Sequence, residues 1–98
     1  MKYIEEYVHQ IDEEIEGAKC YAEAYLMYKS KGSNRASQYK NMAQDELNHA
    51  MALHGFVTEE IDELSKTYTP PVEMTERWEK SHKRYVECAA WVKTMLQM

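Results

Sequence analysis

Apolar positions along the chain recur in steps of three and four, with two interruptions. The first is "KSKGSNRAS". Gly32 there tolerates positive φ and can end a helix, and Ser33 or Asn34 can cap the next one. The second is "TYTPPVEMT", where Pro70 and Pro71 cannot continue a helix. The pattern predicts helices at about 2–31, 34–67 and 72–97, each roughly 40–50 Å long at about 1.5 Å per residue. The expectation is one all-α domain spanning 1–98.

On a wheel of about 100° per residue, the first helix gathers Ile4, Val8, Ile11, Ile15, Ala18, Ala22 and Tyr25 in one arc, with Tyr7, Tyr21 and Tyr28 along one side. The three acids of "EEIE" are then not equivalent. Glu13 and Glu16 fall nearly opposite the arc, whereas Glu14 falls inside it. In the second helix, Tyr39, Ala43, Glu46, Ala50, Leu53, Val57 and Leu64 form the stripe, flanked by Met42, His49 and Phe56. Glu46 lies near its centre and His49 beside it, within "DELNHA".

Two inward carboxylates and an inward imidazole need a common explanation, because a buried carboxylate is costly unless paired, hydrogen-bonded or metal-bound. Metal coordination by Glu14, Glu46 and His49 is one. A Glu–His or Glu–Tyr hydrogen-bond network is the other, and eight tyrosines make it chemically easy. The i, i+3 step of Glu46 and His49 puts both groups on one side of a helix. An oxygen-and-nitrogen donor set suits iron or manganese better than the thiolate-rich sets of structural zinc.

Composition narrows the function classes. The 98 residues are 44% hydrophobic and 30% charged, with three glycines and two prolines, as in a helix-rich globular chain. The net charge of −5, with both signs mixed, argues against a nucleic-acid surface. The longest basic cluster, "KSHKR", shares its helix with Glu76, Glu79 and Glu87. No run of about 18 apolar residues is present to span a membrane. "MKYIEEYVHQ" lacks a signal-peptide core. Cys20 and Cys88 fit no disulfide or zinc framework, and no nucleophile–base arrangement is legible near them. A reducing, cytoplasmic setting is expected.

The segments "IDEEIEGAKCYAEAY" and "YKNMAQDELNHAMALHGF" resemble the first two helices of ferritin-like and rubrerythrin-like proteins. The resemblance covers about residues 3–66. It is similar to short encapsulated ferritins, in which each chain supplies a helical hairpin and two chains make one site, and also resembles short ferritin-like proteins of bacteria and phages. It implies a di-iron carboxylate centre, with Glu14 as the first-helix ligand and Glu46 and His49 as the second-helix pair. In such bundles one helix gives a Glu and its neighbour a Glu-x-x-His, and two such pairs enclose two metals. A compartment shell protein is a partner that the resemblance brings with it. The chain, however, ends at "WVKTMLQM" with no tail that could serve as a targeting peptide.

The third helix carries its own stripe of Trp78, His82, Tyr85, Ala89, Val92 and Leu96, and a second Glu-x-x-His, "EKSH". If this helix folds back on the second at the prolines, Glu79 and His82 lie level with about 58–61. That is roughly 18 Å from Glu46 along the bundle. A separate cluster of Glu60, Glu79 and His82 is a secondary metal candidate, and a core histidine bonded to Tyr or Glu is its alternative. His9 and His54, at the margins of their stripes, are expected to be exposed or semi-exposed.

Three long helices in so few residues bury a small fraction of their surface. Trp91, opposite the His82 stripe, together with Gly17 and Ala24 off the main stripe of the first helix, points to self-association. The expected assembly is a homodimer, or a multiple of it, whose two hairpins complete a four-helix core. Two functions follow: a non-haem di-iron or manganese protein, iron-oxidising or peroxide-consuming, and a helical structural or interaction module without turnover. Neither reading involves nucleic acid or a membrane.

Overall fold

The computed structural model of the protein describes residues 2–98. Three helices follow one another, α1 (Lys2–Ser30), α2 (Arg35–Ser65) and α3 (Val72–Gln97). They form a rod of 55 × 18 × 16 Å. The boundaries fall within two residues of those read from the sequence, and both breakers act as expected. Gly32 takes φ 67°. Its N–H donates to the Lys29 carbonyl at 3.0 Å, and the Ser33 N–H donates to the Tyr28 carbonyl at 3.0 Å, which closes α1 in a Schellman turn. Ser33 Oγ then accepts the Arg35 N–H at 3.2 Å at the start of α2. Pro71 starts α3, its carbonyl accepting the N–H groups of Met74 and Thr75, both at 3.1 Å.

Helices α1 and α2 form an antiparallel hairpin. Tyr7 meets Phe56 and Tyr21 meets Tyr39, each pair with ring centres 6.1 Å apart. The α1 arc read from the sequence, Ile4 through Tyr25, is buried throughout. Alanines at the contact, Ala18, Ala22, Ala43 and Ala50, are fully buried and let the two backbones approach closely. The α2 stripe is rotated from the expected one. Leu47, at 2% exposure, sits on its centre with Ala43, Ala50 and Val57, and Glu46 lies at the stripe's edge, half-buried.

Helix α3 corrects a second expectation. It does not fold back chiefly on α2 but packs along α1, parallel to it, and meets α2 over a short stretch only. Arg77 pairs with Glu5 at 3.0 Å and Arg84 with Asp12 at 3.7 Å, which sets the register. Buried Ala89, Val92, Met95 and Leu96 supply its core contact. Helix α1 is therefore the central element, and one long side of the α1–α2 hairpin carries no third helix. No described helix is long and apolar enough to cross a membrane.

Candidate metal centre

Residue Glu14 sits at the middle of α1, on the edge of its apolar arc. The antiparallel hairpin brings it level with Glu46 and His49 of α2. His49 Nδ1 stands 3.4 Å from Glu14 Oε2. Each of the three residues offers one donor atom, and those atoms all lie within 4.8 Å of one another. Among the described residues this is the one group of three or more His, Cys, Asp or Glu donors so gathered. The other acids of "EEIE" stay apart, with Glu13 and Glu16 exposed and Glu13 paired with His9 at 2.8 Å.

The electrostatics of the group come from two carboxyls facing each other. Glu46 is pushed up to about 7, first by its hydrogen bond with Glu14, then by partial burial and the Glu14 charge, while His49 pulls the other way. A carboxyl raised in this way holds its proton more readily than an ordinary one, and a divalent cation would compete with that proton. Gly17 provides the room. A Cβ there would stand 3.3 Å from Glu46 Oε2 and 3.5 Å from its carboxyl carbon. Within the hairpin, Gly17 thus accommodates the Glu46 carboxylate.

The group opens outward. The Glu14 side chain is 28% exposed and that of His49 60%. On α2, His49 lies on a ridge between Met42 and Phe56, seven residues to either side, which are 40% and 48% exposed. Half-buried Tyr7, Tyr21, Tyr28 and Tyr39 edge the same side. Tyr28 and Tyr39 stack at 5.3 Å with their planes 3° apart.

The secondary candidate does not form. Glu60, Glu79 and His82 are not brought together among the described residues. Because α3 follows α1, His82 meets His54, with His54 Nε2 and His82 Nδ1 2.7 Å apart. His54 is eight residues from Glu46, about 12 Å along α2, so helix α3 does not complete the Glu14–Glu46–His49 group. Sequence reasoning missed the role of His54, whose ring also lies against Trp78 and Tyr85 with centres 5.0 and 4.8 Å away. Its seven-residue offset from Leu47 was the available signal.

The well-formed clefts lie elsewhere, between α1 and α3. One, of about 260 Å³, is lined by His9, Asp12, Arg77, Lys80, Ser81 and Arg84. Its two arginines are already engaged by Glu5 and Asp12, so it is a seam stitched by ion pairs. Cys20 is exposed and Cys88 half-buried, and both are free thiols. Comparison of the chain with protein-family models, with curated proteins and with solved structures gives no match.

Proposed function

We propose that the protein is a non-haem metal carboxylate protein of ferritin-like type, in which Glu14, Glu46 and His49 hold iron or manganese. The observation that carries this reading is the convergence of two carboxylates and one imidazole from two helices, within 4.8 Å, beside a glycine that leaves space for one of them. The donor chemistry fits a divalent first-row ion. The two carboxylates would balance its charge and His49 would supply an imidazole donor. A bound iron ion would supply one-electron chemistry toward oxygen or peroxide.

A second copy of the chain is part of the proposal. One chain offers two carboxylates and one imidazole, half of the usual di-iron set. Two-fold pairing doubles this to four carboxylates and two imidazoles. It would also cover the Met42–His49–Phe56 ridge and its tyrosine margin, which no helix of the same chain covers. Isologous dimers place identical residues across an axis, which such a site needs. A metal-free helical module is the second reading. The facing of Glu46 on Glu14 favours it, because a proton held on Glu46 would let the two carboxyls sit together without an ion.

Metal analysis of the purified protein, followed by iron(II) addition in air with absorbance recorded, tests the reading. Bound metal and a rise in absorbance beyond that of free iron(II), in a protein that sediments as a dimer or a multiple of it, support it. A monomer with no metal and no effect on iron oxidation refutes it.

A further inference from the structure

The side chains of His54 and His82 form the single α2–α3 side-chain hydrogen bond among the described residues. Two arrangements could join the rings, whose nitrogens stand 2.7 Å apart. Two imidazoles sharing one tetrahedral metal ion at about 2.1 Å would hold their nitrogens about 3.4 Å apart. An N–H aimed straight at a lone pair puts the centres about 5 Å apart. The observed separation is 4.9 Å, so the two rings form a direct hydrogen bond.

Such a bond needs one N–H and one lone pair. Both rings neutral in the Nε2–H form satisfy it, His54 donating and His82 accepting. One extra proton is also tolerated, because an imidazolium still donates to a neutral imidazole. A second proton removes the only acceptor and sets two like charges against each other. The surroundings offer no compensation. On α2, residues 50–58 carry no charged side chain apart from His54 itself. On α3, Trp78 and Tyr85 lie against the His54 ring, Glu79 is exposed, and Lys80 and Lys83 stand within two residues of His82 in the chain. From α1, Glu5 and Asp12 are engaged by Arg77 and Arg84.

We propose that the His54–His82 pair is an acid-released latch, which holds the N-terminal half of α3 against α2 while at most one ring is protonated and lets go when both are. The latch is independent of the Glu14–Glu46–His49 reading. Desolvation, and then the His82 imidazole, hold His54 below its ordinary value of 6.5. The folded chain therefore binds fewer protons here than the unfolded one. The docking energy is intact above about 6.5 and is lost as pH falls below it. The C-terminal half of α3 stays seated through Val92, Met95 and Leu96. Release therefore uncovers the face of Trp78 that lies against His54, while Arg77–Glu5 and Arg84–Asp12 still hold that half of α3 beside α1.

The test uses a Trp91→Phe background, in which Trp78 is the only tryptophan, titrated from pH 8 to 4.5. Fluorescence, far-ultraviolet circular dichroism and histidine ring NMR are read together. The expected result is a red shift of Trp78 emission with helicity retained. His54 should reach half-protonation at a lower pH than in the same protein carrying His82→Gln. Glutamine can accept from a protonated His54, so that variant should keep Trp78 in place at pH 5. A red shift unchanged by His82→Gln, no shift in the parent, or loss of helicity in step with the shift would each overturn the latch.

Discussion

Replacing Gly17 with alanine separates the energetics of the hairpin from those of the proposed metal centre. Glycine inside a helix costs about 0.8–1 kcal/mol relative to alanine. The change therefore favours the folded chain by up to about 1 kcal/mol, which for a domain of this size is about 4–8 °C in Tm. Against this, the new Cβ would sit 3.3 Å from Glu46 Oε2 and 3.7 Å from its Cγ. The carboxyl is the end of a flexible side chain, so it can retreat by a few tenths of an ångström at a cost of about 0.5–1.5 kcal/mol. The metal-free protein should thus change little in stability. Metal affinity should fall by about 10–100-fold, the usual cost of disturbing the support of a ligand. Gly55→Ala is the control. It lies within α2 with nothing within 4 Å of its Cβ position, so it should keep the full gain of up to about 1 kcal/mol and leave metal binding unchanged. Urea unfolding of the metal-free proteins and iron(II) or manganese(II) titration of each supply the two readouts. Equal metal affinity in Gly17→Ala and Gly55→Ala would refute the placement of the Glu46 carboxylate at the ion.

Three further outcomes follow from the same geometry. Glu46 is raised from 4.5 to about 7, so its contribution to metal-free stability is complete below pH 4.5 and is lost as pH rises through about 7. Solvent contact limits this to roughly 1–2 kcal/mol, and Glu46→Gln should flatten that part of a stability-versus-pH curve measured by urea unfolding. Ser81 is 6% exposed and its Oγ has no hydrogen-bond partner. Ser81→Ala should therefore leave stability unchanged or raise it by up to about 1 kcal/mol, whereas a clear loss in thermal unfolding would reveal a partner for the hydroxyl. Leu47→Ala, at the centre of the α2 stripe, should cost about 2–5 kcal/mol in chemical denaturation, and a cost below 1 would mean that the stripe is centred on Glu46 after all.

The helices and the hairpin were legible because each rests on local chemistry. Gly32 and the two prolines fix the breaks, and the seven apolar positions of α1 declare its buried arc without ambiguity. The α2 face was harder. Ala43, Glu46 and Ala50 fit a stripe centred one way, and Leu47 with His54 fits one rotated toward α3. Only the packing of α3 decides between them. That packing was itself illegible, because two prolines say where a helix ends and not which neighbour the next one meets. The buried Ala89, Val92, Met95 and Leu96 seat α3, and the exposed Arg77–Glu5 and Arg84–Asp12 pairs fit that seat beside α1 across long stretches of chain. The placement of His82 against His54, and so the failure of the Glu60–Glu79–His82 group, follows from that seat. Glu14, Glu46 and His49 were readable since one antiparallel hairpin brings them level whatever α3 does.

Anaerobic iron(II) titration of three proteins, the wild type, Glu46→Ala and Glu16→Ala, tests the central claim most directly. Glu16 is exposed and on the same helix as Glu14, so it controls for loss of charge. The account predicts about one tightly bound iron per chain in the wild type and in Glu16→Ala, and none in Glu46→Ala, with all three proteins folded by circular dichroism. Absence of binding in the wild type, or an equal loss in both variants, would contradict it.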